Sequence, residues 1–409
     1  MSAPSSFVTP TPQPAPVEGA WTMLGTEQRA LERAPRVRSA EAARKTAEAY
    51  RTFGTMPRAQ NPQVNVRAMI GKPDDPAATY ALTVGLPFDV AGRRRAWRRE
   101  AGFISEQAEA ELASTRNEVR SEARIAYVMV AMAGAARLVA EQSADTAREL
   151  SERVQARLAA NATTALDVAL AQSQHAEATA NLARAQRTLI EAQAMFRQTV
   201  GLAHDATVEV MPLLQPSIPN GISMEAALER ARMRRREAAA WGFAGERWRS
   251  ADTRLRREAV APLSVNLEGE AQGNNNTQSS VGAGLGFELP FVFKNQGERA
   301  VAEKQAAAAE LESELAGNLI EREASSSFRR LEAALAELSA IEEGALPAAE
   351  RTLIMVHTML DAGVVDYFRL LTARGVAFAL RSRRVEALRE AWLCRIALER
   401  AIGGWEETP

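Results

Sequence analysis

The chain has 409 residues, of which 46% are hydrophobic, and its 50 Lys and Arg nearly balance its 51 Asp and Glu. A formal net charge of -1 argues against a nucleic-acid binder that relies on electrostatic attraction. The single cysteine, Cys394, excludes an intrachain disulfide and a cysteine-based metal cluster. No run approaches the roughly 18 apolar residues that a membrane-spanning helix requires.

The N-terminal segment, residues 1–20, is rich in Pro, Ser and Thr and lacks an apolar stretch. We expect a disordered lead there, and the segment as written does not have the pattern of a signal peptide. Beyond it, the chain reads as one unit written twice at an offset of roughly two hundred residues. For example, Leu86-Pro87-Phe88 recurs as Leu289-Pro290-Phe291, and Ala30–Ala34 recurs as Ala227–Ala231.

Repeat 1 covers 21–210 and is predicted to contain, in order, a short helix at 22–52, a β-hairpin at 63–86 and long helices at 92–156 and 166–200. Alternating apolar and polar residues predict the strands, and Gly71–Pro76 supplies the turn between them. Pro87 ends the second strand, and Gly92 opens the helical tract. The first long helix would extend roughly 90 Å, far beyond the usual globular helix.

Repeat 2 covers 222–405, follows a Pro-rich linker at 211–221, and is predicted to contain a short helix, a β-hairpin at 263–289 and long helices at 297–343 and 348–402. Gly297 marks the start of its first long helix, after Pro290 has ended the strand. Gly344 and Pro347 predict a break or kink between the two helical tracts.

Each predicted strand has one apolar face and one polar or glycine face, which is typical of a transmembrane β-barrel strand. An ordinary antiparallel sheet with one wet face shows the same alternation and remains an alternative. A closed barrel needs at least ~8 strands, and one chain supplies four, so a spanning barrel would require several chains. The long Ala-, Leu-, Glu- and Arg-rich helices favour lateral coiled-coil packing, although a solvated structural coiled coil would also fit.

From about Trp21 onward, these features resemble the TolC-type outer-membrane efflux factor family. The resemblance is carried by the duplication, by the first strand-to-helix junction at Leu86–Ala96 and by the second at Leu289–Glu298. The second junction is most similar to the heavy-metal cation-efflux subgroup. The turn segments within the helical hairpins, at 158–168 and 360–370, fit the same pattern.

The resemblance implies a mainly α-helical chain with a membrane β-barrel portion, assembled as a homotrimer. Three chains would form one twelve-stranded barrel in outer-membrane lipid, continued by a periplasmic α-helical tunnel. The implied partners are a periplasmic adaptor protein and an inner-membrane pump of the RND type, typically driven by protons. The chain would act as a passive exit duct for metal cations or drugs, with no cofactor and no catalytic residue.

The resemblance also implies that the ends of the helical hairpins form the closed tip, where acidic residues commonly ring the pore. Asp167 occupies the matching position of repeat 1, whereas repeat 2 has Arg369 there and Thr372 at the next expected acidic position. This departure argues against an acidic ring at the tip. We hypothesise that Asp167 and Arg369 form a latch, and we add Asp361 and Asp366 to the candidate tip residues; two unrelated solvated charges are the alternative.

Other features of the sequence give no functional site. His175, His204 and His357 lack metal-ligand spacing, and we expect no bound metal. The basic clusters around Arg93 and Arg234 suit a membrane interface or subunit contacts better than nucleic acid. A coiled-coil scaffold without membrane insertion is the alternative function, and an enzyme is not indicated.

Overall fold

The computed structural model describes residues 20–55, 61–70, 78–161, 163–218, 222–260, 262–273, 278–286, 292 and 294–404. Its helices are α1 (Met23–Arg33), α2 (Pro35–Ala49), α3 (Arg51–Thr55), α4 (Arg93–Ala159), α5 (Ala165–Val200), α6 (Met224–Arg234), α7 (Glu237–Glu258), α8 (Gln296–Ser339), α9 (Leu346–Asp361) and α10 (Tyr367–Ala401). Its strands are β1 (Gln63–Ile70), β2 (Ala78–Phe88), β3 (Leu263–Gly273) and β4 (Gln278–Gly286). The predicted lead at 1–19 and the junction residue Pro290 lie outside the described residues.

The four strands form one antiparallel sheet in the order β1-β2-β3-β4. Its middle pair joins the two repeats, with Leu82 opposite Gly269 and Phe88 opposite Leu263. The strands β1 and β4 therefore each have one edge that no described strand pairs with. Because side chains alternate along a strand, this register places most of the apolar residues of the four strands on the same face, with Met69 and Ala81 on the other.

The duplication is visible in the backbone at positions with positive φ. Six of the seven described positions of this kind form three pairs, namely Gly92 with Asn295, Asn161 with Gly363, and Gly201 with Gly403; the seventh is Gly404. Glycine and asparagine tolerate this left-handed conformation best. Each copy therefore turns its chain at the same three places: before its first long helix, between its long helices and after the last one.

The predicted break in repeat 2 has a different form in the structure. Residues Ala340–Ala345 form a π-helical segment that connects α8 directly to α9. Pro347, which has no backbone N–H, lies in the first turn of α9, directly after this segment. The glycine and the proline therefore change the helix type here, and the chain reverses only at 362–366.

The chain divides into two compact units that both draw on the two repeats. The first unit comprises Met1–Arg38, Arg116–Arg234 and Ile320–Pro409. Its core is built largely from α4, α5 and α10, with Phe196, Leu331 and Leu398 fully buried. The second unit comprises Ser39–Thr115 and Arg235–Leu319 and contains the sheet. Its helical core is small, with Trp248 packed on Ala251, Leu255 and Ala302.

One expectation about hydropathy needs correction. Helix α4 contains an 18-residue stretch that is apolar enough, by length and composition, to cross a membrane. Half of that stretch is buried within the protein, and Ala126, Tyr127 and Val130 of α4 belong to the core of the first unit. We therefore interpret the stretch as a core helix.

Candidate functional site

The apolar face of the sheet is exposed, although its residues are of the kind that a soluble protein buries. One row across the sheet consists of Val66, Leu82, Gly269 and Val281. Val66 is 76% exposed and Val281 is 90% exposed. A continuous apolar surface of this kind marks contact with lipid or with another protein.

The opposite face of the sheet is polar and has little side-chain bulk. Its rows include Asn65, Thr83, Glu268 and Gly282, and one step further along lies Glu270 beside Ser280. An added Cβ at Gly282 or Gly284 would meet no atom within 4 Å. This face therefore offers carboxylates, amides and hydroxyls above an open surface, as the water-filled side of a channel would.

The first strand-to-helix junction is fixed by charge and by a glycine. Pro87 lies in β2 next to its last residue, and Gly92 follows with φ +70°. The Asp89 carboxylate accepts hydrogen bonds from the backbone N–H groups of Arg93 (2.9 Å) and Arg94 (3.1 Å), which caps α4. The Arg257 side chain donates to the Gly92 carbonyl oxygen at 2.8 Å.

The second junction uses Asn295 instead of a glycine. Asn295 has φ +54°, and its side-chain amide donates to the carbonyl oxygen of Leu255 at 3.0 Å. Gly297 is the second residue of α8 and shows no positive φ. The residue that turns the chain here is therefore the asparagine, which tolerates this conformation better than most residues and is held by its hydrogen bond to α7.

At the end of the first helical hairpin, Asp167 caps its own helix. Thr164 and Asp167 form a capping box at the start of α5, and the Asp167 carboxylate also accepts a hydrogen bond from the Thr163 hydroxyl at 2.8 Å. These hydrogen bonds, foremost those from Thr164, lower the pKa of Asp167. The carboxylate thus stays ionised while it is bound to its helix terminus.

At the end of the second hairpin, the acid that caps the helix lies three residues before the position that corresponds to Asp167. Asp366 is the N-cap of α10, and its carboxylate accepts a hydrogen bond from the Arg369 backbone N–H at 3.1 Å. The Arg369 side chain is exposed, and Asp361 is the last residue of α9. Within the part of the protein that the structure describes, no ion pair joins Asp167 to Arg369.

The two hairpin ends pack against each other within the first unit. Leu150, Val154 and Ala171 of the first hairpin share a buried cluster with Leu370 and Leu371 of the second. A second contact also joins the two hairpins. The Arg157 guanidinium lies 5.1 Å from the centre of the Tyr367 ring, and it donates to the Tyr367 hydroxyl at 3.2 Å. No local pattern in the sequence predicts this contact, because the two residues are 210 positions apart.

A buried ionic network is the second feature that the sequence analysis missed. Arg124 donates to Glu27 at 2.9 Å and also to Glu399, and all three side chains are less than 10% exposed. Arg120 adds a second bond to Glu27, and Arg395 adds one to Glu399 at 3.1 Å. Burial disfavours the charge of Arg124, but Glu399 and Glu27 outweigh burial and raise its pKa.

Comparison with known proteins places these features in a family. Residues 27–202 match the outer membrane efflux protein family. The cobalt-zinc-cadmium resistance protein CzcC of Cupriavidus metallidurans is 24% identical over 355 residues, which cover 84% of this chain and 81% of CzcC. The family match covers most of the first repeat, and the similarity to CzcC extends over most of the chain.

Solved structures agree with the fold of this efflux protein. A CusC structure superposes with a TM-score of 0.74 at 16% identity and covers 99% of both chains. The VceC structure from Vibrio cholerae gives 0.74 at 19% identity, covering 94% of this chain and 97% of VceC. Together, the family match, the similarity to CzcC and these folds support an outer-membrane efflux channel of the TolC type with a periplasmic helical tunnel, a passive conduit and not an enzyme. The scaffold alternative is not favoured.

No resident metal site accompanies these features in the described ranges. There, no three His, Cys, Asp or Glu side chains come together in a way that could hold a metal ion. The candidate functional surfaces of the efflux protein are therefore the two faces of its sheet and the ends of its hairpins.

Proposed function

We propose that three copies of this chain assemble into one twelve-stranded barrel and act as the exit duct of a tripartite efflux system. The four-stranded sheet with its exposed apolar face carries this proposal. In lipid, the unpaired edges of β1 and β4 would leave backbone groups unsatisfied at several kcal/mol each. Pairing the β4 of one copy with the β1 of the next would remove every such edge and would turn the polar face inward.

The partners in this proposal are a periplasmic adaptor and a proton-driven inner-membrane pump, and the cargo is a divalent metal cation. The match to a protein named for cobalt, zinc and cadmium resistance supports this cargo. On the polar face, Glu268 and Glu270 outnumber the cation Arg67. This excess of negative charge would favour passage of cations over anions. Metal susceptibility of a strain that lacks the gene tests the cargo: unchanged tolerance to all three metals would contradict it.

We further propose that Arg369 of one copy contacts Asp167 of a neighbouring copy at the closed tip. Arg369 is exposed and its side chain takes no part in capping α10, whereas Asp167 also caps α5. Arg369→Ala therefore tests the latch without disturbing a helix terminus. We expect a higher single-channel conductance or open probability for Arg369→Ala and no further increase for Arg369→Ala combined with Asp167→Ala. Wild-type gating in Arg369→Ala would contradict the latch.

Assembly itself is tested in isolated membranes. We expect the full-length protein in the outer-membrane fraction as an oligomer that resists SDS until it is heated. A folded monomer in aqueous buffer without detergent would contradict the proposed assembly.

A further inference from the structure

The end of the sheet that adjoins the helices has a strong excess of positive charge. The three segments that meet this end are 88–100, 252–262 and 292–300, and together they contain ten Lys and Arg against five Asp and Glu. Five of the ten cations fall within seven positions at the start of α4, from Arg93 to Arg99. At the other end of the sheet, the connecting segments 71–77 and 274–277 contain one Lys and two Asp.

Four of the five acids in these segments have partners within this region. Asp89 caps α4, and Glu100 and Glu258 both pair with Arg254. Asp252 pairs with Arg256 at 2.8 Å and with Arg299 at 3.0 Å. The structure thus uses acids of this region to hold α7 against α4 and α8, and three arginines in the first two turns of α4 are exposed.

The exposed cations are Arg95, Arg98 and Arg99, and we call them the arginine collar. They begin within two turns of Phe88, where the sheet and its apolar face end. Apolar side chains lie exposed at the same boundary, with Phe88 at 46%, Val90 at 60% and Val292 at 86%. An apolar surface followed at once by cations is the arrangement that suits acyl chains followed by phosphate headgroups.

We propose that the arginine collar binds anionic phospholipid headgroups of the periplasmic leaflet of the outer membrane. This inference rests on the proposed barrel and adds a lipid class and the residues that recognise it. Arginine suits the task because its guanidinium fork donates two hydrogen bonds to a phosphate and stays charged at the interface. Binding would fix the depth at which the barrel meets the helical tunnel.

The test uses the full-length protein purified in detergent and reconstituted in bilayers of phosphatidylcholine mixed with phosphatidylglycerol. The variant is R95Q/R98Q/R99Q. The control is R148Q/R153Q/R187Q, which removes three exposed arginines from α4 and α5 far along the chain from the sheet. The measurement is the ratio of phosphatidylglycerol to phosphatidylcholine that copurifies with the protein, read by native mass spectrometry.

We expect the wild type and the control to retain phosphatidylglycerol preferentially, and the collar variant to lose this preference by up to about fivefold for each arginine removed. The wild-type preference should also weaken as salt is raised, since exposed charges are screened. Equal enrichment in the collar variant and the control would overturn the inference. So would a changed ratio of cation to anion permeability at unchanged lipid retention, because the arginines would then face the bore.

The salt series needs only the wild type, so it remains decisive if the collar variant does not fold. A wild-type preference that is independent of salt would contradict the arginine collar. The outcomes also separate the two proposals. A wild type that forms no oligomer contradicts the proposed function, whereas a conducting oligomer without lipid preference contradicts only this inference.

Discussion

The last helices of the two copies, α5 and α10, bury the same positions with different residues. At an offset of 202 residues, Ala192 corresponds to Cys394, Phe196 to Leu398 and Val200 to Ile402. All six side chains are less than 9% exposed, and they recur every four residues, which places them on one helix face. The duplication has therefore kept the burial pattern and the backbone turns while the side chains diverged.

An ionisable residue beside this apolar face differs between the two copies, and so does its partner. Arg197 of α5 donates to the carbonyl oxygen of Ala206 at 2.8 Å, within its own copy. Its counterpart Glu399 pairs with Arg124 and so joins the second copy to the first. A repeated apolar face positions each helix, and one changed charge links the two copies to each other.

The largest effect is expected from the link between the copies. Arg124→Met should lower the free energy of unfolding by about 3–5 kcal/mol, because it leaves Glu27 and Glu399 buried without their shared partner. Arg36→Met is the control, since Arg36 pairs with Glu118 and Glu122 at the surface and should cost at most about 1 kcal/mol. Urea unfolding of the detergent-solubilised protein measures both. Equal decreases in the free energy of unfolding for the two variants would contradict the role of Arg124 in linking the copies.

The next prediction concerns the shared apolar face. Phe196→Ala and Leu398→Ala should each cost about 2–5 kcal/mol, because both side chains are fully buried and their removal leaves a cavity. Losses that agree within about a factor of two would support an equivalent core in the two copies. A large loss of stability in one variant, with the other variant near wild type, would show that the two copies are not packed equivalently.

A smaller effect is expected at the hairpin ends. Thr164→Ala and Asp366→Ala each remove an N-cap and should each cost about 1 kcal/mol. The pKa of Asp167 is lowered by folding. Its contribution to the free energy of unfolding is therefore complete above the ordinary carboxyl pKa and is lost as the pH falls through the lowered pKa. The cost of Thr164→Ala should thus shrink between about pH 7 and about pH 3. A cost that does not change with pH would argue against the capping box.

The smallest effect concerns the reactivity of Cys394, which corresponds to Ala192 in the first copy. Burial, followed by the nearby Glu390, raises the pKa of the Cys394 thiol to about 11. At about pH 8 we expect maleimide to label Cys394 at least about a hundredfold more slowly than a cysteine at Val376 in a Cys394→Ala background. Val376 lies on the same helix and is half exposed. Similar rates would mean that α10 opens readily, against the burial that it shares with α5.

Much of this fold follows from local pattern in the sequence. The strands, the long helices and the turns at Gly92, Asn161 and Gly363 are each specified by alternation or by a residue that tolerates positive φ. The hairpin ends were harder to predict. Asp167 and Arg369 align as a candidate charge pair, but both are the third residue of a helix, and the acid that caps α10 is Asp366. An alignment of repeats does not reveal which acceptor caps each helix.

The contacts between distant segments were beyond the sequence analysis. Arg124 lies 97 residues from Glu27 and 275 residues from Glu399, so no local period relates them. The same holds for Arg157 and Tyr367. Glu27, Arg124 and Glu399 look like solvated surface charges in a helical sequence, and only the packing of α1, α4 and α10 shows that they are buried.

Native mass spectrometry of the protein extracted from outer membranes tests the central claim most directly. The claim is that one chain supplies a third of a closed barrel. The predicted result is a single species of three chains, each of 44.4 kDa, that dissociates to monomers only on denaturation. A stable folded monomer, or an oligomer with any other number of chains, would contradict it.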